Sequence, residues 1–378
     1  MREAITRTPP PSALTIRFYE SVSSISTNLS ASNKFRQNFP IPLWSRRGIL
    51  QMMNDKLSLD CPASTSDPSR PSCPGGEAHD CALSCADVCA LHPGERVAPI
   101  DFAEAQARFK REAIHGVCPT GRYRLPYYSW GDGPPLLFVH GVGDSCRSFV
   151  QPISRLSAHF RCIAYDLPNG HRDGARLRRY AHDHLVADVW ALLDHLGLRQ
   201  SYIHGSSFGS TIVLKTMHAR PERLPRGILQ GGLAYRPLSR LERLLAYWGR
   251  FLPGSMAGVP LREKVLLKTA GHGFKEMFPD VWNHFLECSG RARLSAFASQ
   301  AYMLNNLDLR PLLSAIRQPM LLICGDRDRV IPRVHEEMLL QGLPNAGRVV
   351  IEGCGHVPSY THPEILTEVI RQFLTPPV

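Results

Sequence analysis

The sequence predicts an α/β fold, with a mostly parallel sheet flanked by helices. Short, wholly apolar segments alternate with segments of helical periodicity from Asp101 onward. Glycine-containing turns follow several of the apolar segments, and 43% of the 378 residues are hydrophobic. Because the strands of a parallel sheet are buried on both faces, they read as continuous apolar runs. The chain therefore has both the pattern and the apolar content for such a sheet.

The first 99 residues differ from the rest. They hold 11 of the 31 prolines and several Ser/Thr clusters, with little hydrophobic periodicity, which predicts a mostly disordered extension. Residues 1–53 carry 7 Lys/Arg against 2 Asp/Glu, a composition similar to that of an organellar transit peptide. The alternative is that translation starts at Met52 or Met53.

The formal net charge of +11 raises the question of a nucleic-acid partner. The basic residues that exceed the acidic ones are distributed along the chain. They form one local cluster, which consists of Arg172, Arg176, Arg178 and Arg179. No aromatic-interleaved basic stripe accompanies the cluster, so we expect a solvated surface and no nucleic acid. No apolar run approaches the roughly 18 residues of a transmembrane segment. We expect a soluble or at most peripheral protein of the cytoplasm, with organellar import as the alternative.

The eleven cysteines fall into two groups. An odd total and the lack of a secretory leader point to a reducing compartment. Cys81, Cys85 and Cys89 repeat every four residues, so on a helix they share one face. Their spacing matches no zinc pattern, which favours a small apolar face over a metal or redox site. Six others have apolar or glycine neighbours and are predicted to be core thiols: Cys118, Cys146, Cys162, Cys288, Cys324 and Cys354.

The regular region begins with a helix capped by Asp101 that runs through Phe109 and Ile114. Strands are predicted at 123–130, 136–139, 162–166, 202–204, 227–230, 320–324 and 348–352. Helices are predicted at about 180–196, 210–219 and 363–373.

One long stretch, from Tyr235 to Ile316, has helical periodicity and no convincing strand. An insertion between two strands of such a sheet lies above the carboxyl edge, where ligands bind, so this stretch is predicted to be a helical cap. Its larger apolar residues either line a substrate cavity or form ordinary core: Tyr247, Trp248, Phe251, Met277, Phe278, Trp282 and Phe285.

The central motif is Gly-Ser-Ser-Phe-Gly at 205–209, between a predicted strand and a predicted helix. A serine at such a tight turn projects its hydroxyl from the sheet, and the glycines let the backbone pass without a clash. This framing predicts Ser207, rather than Ser206, as a nucleophile.

A serine nucleophile needs a base, and the base needs an orienting group. After the strand at 320–324 the chain carries Asp326 and Asp328, and after the strand at 348–352 it carries His356. All these loops leave the carboxyl edge of the sheet, as the Ser207 loop does. The chain order of serine, acid and histidine is that of one known class of serine hydrolase.

These motifs resemble those of the α/β-hydrolase superfamily, from about Tyr123 to the carboxyl terminus. The resemblance implies an eight-stranded sheet with core segments at 100–235 and 317–378, a helical cap at 236–316 and an extension at 1–99 outside it. It also picks Asp328 over Asp326 as the acid, with His356 as the base. The family's oxyanion hole corresponds to the backbone N–H groups of Val142 and Phe208. Four other histidines are expected to be structural: His140, His171, His204 and His362.

The resemblance implies a serine hydrolase that cleaves a carboxylic ester, or a related acyl bond, in a small-molecule acyl substrate, without a metal or organic cofactor. The alternatives are a carbon–carbon bond hydrolase or an acyltransferase of the same fold, and a non-catalytic ligand-binding protein. Two departures from the family pattern stand out. The loop at 167–172 reads Leu-Pro-Asn-Gly-His-Arg where many relatives have Gly-His-Gly after the proline, and Ser210 replaces a glycine.

Overall fold

The computed structural model describes residues 99–170, 173–270 and 273–375. The predicted disordered extension, apart from residue 99, lies outside these ranges. So do the Cys81, Cys85 and Cys89 run, His171 and Arg172.

An eight-stranded sheet forms the centre of the molecule, in the order β1-β2-β4-β3-β5-β6-β7-β8. Its first two strands pair antiparallel, and β2 is also antiparallel to β4, whereas all other pairs are parallel. The strands are β1 (Ile114–Pro119), β2 (Arg124–Trp130), β3 (Pro135–Val139), β4 (Arg161–Tyr165), β5 (Tyr202–Ser206), β6 (Gly227–Gln230), β7 (Met320–Gly325) and β8 (Ala346–Ile351). The predicted fold class is confirmed.

The amino-terminal edge of the sheet differs from the sequence prediction. Helix α1 (Phe102–Glu112) is capped by Asp101, whose carboxylate accepts the N–H of Glu104, as expected. The prediction that the helix extends through Ile114 is wrong, because Ile114 begins β1 and pairs with Ser129. The β1 burial pattern is mostly exposed, so this edge strand lacks the apolar signature of the central strands.

Helices cover both faces of the sheet. Residues of α1, of α2 (Val150–Leu156) and of α11 (Pro363–Leu374) share one buried apolar cluster with one sheet face. The opposite face packs on α3 (His182–His195), α4 (Phe208–Ala219) and α10 (Arg333–Gly342). All six cysteines in the described ranges are buried and free of disulfides, which confirms the prediction of core thiols.

The segment between β6 and β7, at 236–316, is called the helical insertion here. Its described residues form five α-helices and no strand of the sheet. They are α5 (Arg240–Gly249), α6 (Arg262–Ala270), α7 (Phe274–Met277), α8 (Pro279–Gly290) and α9 (Leu294–Asn305). A backbone bridge between Tyr235 and Asp308 brings the two ends of the insertion together. Within the described ranges, no helix has both the length and the hydropathy needed to cross a bilayer.

The aromatic residues of the insertion divide between core and surface. Trp282 and Phe285 are buried in a cluster that includes Tyr360 of the main fold, so they are ordinary core. Trp248 and Phe251 are exposed, at 58% and 48% of their maximal areas.

Candidate active site

Ser207 occupies the turn between β5 and α4 in a strained backbone conformation. Its φ is 52° and its ψ is −117°, and only one other non-glycine residue in the described ranges, Leu261, has a positive φ. A non-glycine residue at positive φ is uncommon and persists where the surrounding structure enforces it. The side chain is therefore held at the carboxyl end of a central strand, as the sequence motif predicts.

The two glycines of the motif allow helix α4 to start against the sheet. A Cβ on Gly209 would lie 2.3 Å from the carbonyl oxygen of Val139 and 2.9 Å from that of His140. A Cβ on Gly205 would lie 2.6 Å from the carbonyl oxygen of Gly209. Because backbone atoms occupy both directions, any larger residue would push α4 away from β3 and move Ser207 with it.

Asp328 and His356 form a direct pair. The Nδ1 atom of His356 lies 2.7 Å from Oδ2 of Asp328, and both side chains are about nine-tenths or more buried. The other carboxylate oxygen, Oδ1, accepts the N–H groups of Val330 and Ile331 at 2.8 and 3.0 Å. Burial disfavours the charged carboxylate, but His356 and these N–H groups outweigh it and hold the pKa of Asp328 below its usual value. A carboxylate only accepts, so Nδ1 carries the proton and Nε2 remains available as a base.

The alternative acid, Asp326, has a different partner. Its Oδ1 atom accepts the backbone N–H of Cys354 at 3.1 Å, so it holds the loop that leads to His356. Of the two carboxylates in this loop, Asp328 is the one that contacts the imidazole.

Ser207 and His356 both lie at the end of β6, against two consecutive residues. The N–H of Ser207 donates to the carbonyl oxygen of Gln230 at 2.8 Å. A Cβ on the next residue, Gly231, would lie 3.0 Å from Cε1 of His356 and 3.5 Å from Oδ2 of Asp328. No hydrogen bond within the described ranges joins Ser207 Oγ to the imidazole. The fold thus brings the three predicted side chains to the carboxyl end of β6.

The loop after β3 lies directly against Ser207. A Cβ on Gly141 would sit 3.2 Å from Cβ of Ser207 and 3.8 Å from its Oγ. The N–H groups of Val142 and Phe208 have no hydrogen-bond partner in the part of the chain that the structure describes. Phe208 is the first residue of α4, where backbone N–H groups lack intrahelical acceptors. Both donors named from the sequence are therefore free to bind an anion.

Asp144 anchors this loop, a role that the sequence did not reveal. Its Oδ1 atom accepts the N–H of Ser145 at 2.9 Å and the hydroxyl of Tyr360 at 3.0 Å. Burial raises the pKa of the Asp144 carboxyl above its usual value. The helical insertion adds a second anchor, because Gln300 Oε1 accepts the N–H of Gly143 at 3.3 Å.

Ser210, the residue that departs from the family pattern, has a specific structural role. It is fully buried, and its hydroxyl donates to the carbonyl oxygen of Ser207 at 2.6 Å. The hydroxyl oxygen of Ser210 also accepts the N–H of Leu233 at 3.1 Å. The hydroxyl connects the serine turn to the segment after β6. Its hydrogen-bonding capacity is therefore used at a position where the family pattern has glycine.

Three of the histidines predicted to be structural lie in the described ranges, and all three are buried. His140 donates from Nδ1 to the carbonyl oxygen of Gly141 and accepts the N–H of Leu167 at Nε2, so it joins two loops. His204 packs against the rings of Phe138 and Phe149, and burial lowers its pKa to about 3. Burial also lowers the pKa of His362 to about 4.

The helical insertion contacts two of the loops that carry the candidate site. Thr269, near the end of α6, accepts the backbone N–H of His356 at 3.0 Å. A Cβ on Gly143 would lie 2.7 Å from the ring of Phe297 on α9. Main fold and insertion are therefore in van der Waals contact at the site.

Comparison with known proteins identifies the family. Residues 134–363 match the family described as alpha/beta hydrolase fold. The chain belongs to this family. Its α/β-hydrolase relatives include 2-hydroxymuconate semialdehyde hydrolase from Pseudomonas putida, 27% identical over 67% of this chain and 91% of the relative. Pimeloyl-[acyl-carrier protein] methyl ester esterase from Aeromonas hydrophila is 26% identical over 65% of this chain and 97% of the relative.

Solved α/β-hydrolase structures have the same fold. A thermophilic esterase from Thermogutta terrifontis superimposes with a TM-score of 0.62 at 23% identity, covering 69% of this chain and 98% of the other. The superposition covers nearly all of that α/β-hydrolase, so this chain contains essentially the whole of its fold.

Proposed function

We propose that the protein is a serine hydrolase that cleaves a carboxylic ester, or a related acyl bond, through an acyl-enzyme on Ser207. The observation that carries this proposal is a strained serine at the end of a central strand, beside an aspartate–histidine pair. The family and the names of its hydrolase relatives support it.

In the proposed mechanism, Ser207 Oγ attacks the carbonyl carbon as its proton passes to Nε2 of His356. The tetrahedral intermediate collapses when the alcohol departs with that proton. Water then attacks the acyl-enzyme while His356 again accepts a proton, which it returns to Ser207 as the acid leaves. Asp328 keeps the proton on Nδ1 and stabilises the imidazolium in both halves.

The negative charge on the carbonyl oxygen falls between two free donors in this scheme. The N–H of Val142 belongs to the loop after β3 and that of Phe208 to the start of α4. Both groups are in place before substrate binds, so they need no reorganisation. Each is worth about 3 to 4 kcal/mol of barrier in comparable sites.

The absence of a hydrogen bond between Ser207 and His356 is compatible with this mechanism. Such bonds are often long in free enzymes and tighten when substrate binds. His356 Nε2 and Ser207 Oγ are both without a partner among the described residues, so neither is diverted to another bond.

The helical insertion is proposed to cap this site. Its contacts with Gly143 and His356 put it beside both the anion-binding loop and the base. The segments at 100–235 and 317–378 form the core that carries the catalytic residues, with the insertion at 236–316 deciding which acyl groups enter.

A fluorophosphonate probe tests the nucleophile. We expect the probe to label the wild-type protein and the Ser206→Ala variant, but not Ser207→Ala. Ser206 is the matched control because it lies next in sequence and its hydroxyl accepts a hydrogen bond from Gln230. Labelling that persists in Ser207→Ala would overturn the assignment.

Carbon–carbon bond hydrolysis is the second candidate, supported by the relative from Pseudomonas putida whose name states a semialdehyde substrate. Product analysis separates the two activities. Both reactions release a carboxylic acid, but the second product is an alcohol from an ester and a compound with a new C–H bond from a carbon–carbon substrate. Turnover of short p-nitrophenyl esters would favour the first. Tight ligand binding without turnover would favour a receptor.

A further inference from the structure

A cavity of about 860 Å³ lies between the helical insertion and the segment that follows β4. Its lining holds five arginines: Arg176, Arg178, Arg179, Arg250 and Arg293. No carboxylate lines the cavity among the described residues. The volume is within the range of small-molecule sites, which is about 300 to 1,000 Å³.

These five arginines differ from about half of the other arginines in the described ranges. Twelve arginines elsewhere in the described ranges lie within 4.0 Å of a carboxylate. None of the five lining arginines has such an ion pair in the described parts of the chain. Five neighbouring positive charges repel one another, and a bound anion would relieve that repulsion.

Three of the guanidinium groups are held in place by contacts with partners that carry no negative charge. Arg178 lies over the ring of Phe251 at 5.4 Å, and Arg250 lies over the ring of Tyr302 at 4.8 Å. Arg293 donates to the carbonyl oxygen of Gly170 at 3.1 Å. The buried Nε of Arg250 has no hydrogen-bond partner among the described residues. The three guanidinium groups are thus positioned before any ligand binds, and they have further N–H groups with which to donate hydrogen bonds.

We propose that this cavity binds a small molecule that carries two or more phosphate groups. Guanidinium forks match phosphate oxygens in bidentate geometry. One carboxylate brings a single negative charge, whereas a phosphate group brings close to two and offers three acceptor oxygens. Several phosphates therefore balance five arginines where one or two carboxylates do not. Leu177 and Phe251 add an apolar wall for the rest of the ligand.

Calorimetric titration of the full chain tests this proposal without using turnover. The probes are inorganic tripolyphosphate, pyrophosphate and, as a tricarboxylate comparison, citrate. We expect tripolyphosphate to bind most tightly and citrate at least tenfold more weakly. Raised salt should weaken binding, since part of the attraction is between exposed charges. The Ser207→Ala variant should bind tripolyphosphate as the wild type does, so the outcome is separate from that of the proposed hydrolase activity.

The double variant Arg176→Gln/Arg179→Gln removes two exposed lining charges that make no ion pair in the described ranges. We expect tripolyphosphate affinity to fall at least tenfold, because each charge-assisted contact is worth that order of affinity. The matched control, Arg240→Gln/Arg243→Gln, changes the net charge equally at exposed positions on α5 outside the cavity. It should bind within about twofold of the wild type.

Three results would overturn the proposal: no binding of tripolyphosphate at millimolar concentration, equal weakening by the two double variants, or citrate binding as tightly as tripolyphosphate. The single variant Arg250→Gln adds an independent check inside the cavity. Its affinity should also fall about tenfold, with the thermal unfolding curve reporting whether the fold is retained.

Discussion

The carboxylate of Asp328 lies 2.7 Å from Nδ1 of His356 and holds the imidazole. The carboxylate of Asp326 accepts the backbone N–H of Cys354, in the loop that carries His356. Two carboxylates two residues apart thus do different work. One orients the base directly, and the other fixes the loop that presents it.

Replacing Asp328 with Asn should lower kcat/KM by about four orders of magnitude, because an amide permits the wrong imidazole tautomer. The control is Asp326→Asn, which should cost less than about tenfold. Steady-state kinetics with a p-nitrophenyl ester measure both. Similar losses in the two variants would contradict the assignment of Asp328 as the orienting acid.

Gly209→Ala should destabilise the protein by about 1 to 3 kcal/mol, since its Cβ would meet two carbonyl oxygens of the β3 end. Activity should fall as well, because Ser207 moves with α4. Gly258→Ala is the matched control: a Cβ there meets no atom within 4 Å, and we expect a change below about 0.5 kcal/mol. Urea denaturation gives both values, and equal stabilities would refute the steric argument.

Tyr360→Phe removes a hydroxyl that donates to Asp144 and should cost about 1 to 3 kcal/mol of stability. It should also lower kcat severalfold, because Asp144 anchors the loop that carries Val142. Tyr128→Phe, which removes a buried hydroxyl bonded to the carbonyl oxygen of Cys146, is the comparison. There we expect lower stability with kcat unchanged. If kcat is also unchanged in Tyr360→Phe, the hydrogen bond between Tyr360 and Asp144 has no effect on catalysis.

His204 should make the protein less stable in acid. Burial lowers its pKa to about 3 in the fold, against about 6.5 in an unfolded chain. Above pH 6.5 the imidazole is neutral in both states, so its burial does not change the free energy of unfolding with pH. Between pH 6.5 and 3 only the unfolded chain binds the proton, so stability is lost as the pH falls through this range. The slope for one proton is about 1.4 kcal/mol per pH unit.

The His204→Leu variant should reduce the slope of unfolding free energy against pH by up to that amount between pH 6 and 4. Phe138→Leu alters the ring packed on His204 without removing an ionisable group, so its curve should run parallel to that of the wild type. Parallel curves for His204→Leu and the wild type would show that His204 does not titrate on unfolding in this range.

The central strands and the serine turn could be predicted because their signals are local. An apolar run such as 136–139 must be buried on both faces, and a serine framed by glycines between strand and helix has few other conformations. The edge strand at Ile114–Pro119 could not, since its residues are largely exposed and leave no apolar pattern. Its strand conformation depends on pairing with β2.

By itself, the sequence determined the fold class, the order of the chemical groups along the chain and the sheet edge at which they meet. Tertiary structure decided which carboxylate reaches His356 and how Asp144, Tyr360 and Ser210 anchor the site. It also brought Arg250 and Arg293 to the cavity that the local cluster at 176–179 lines. The physical reason is range. Backbone conformation follows from neighbours along the chain, whereas a contact between residues far apart in sequence depends on how whole elements pack.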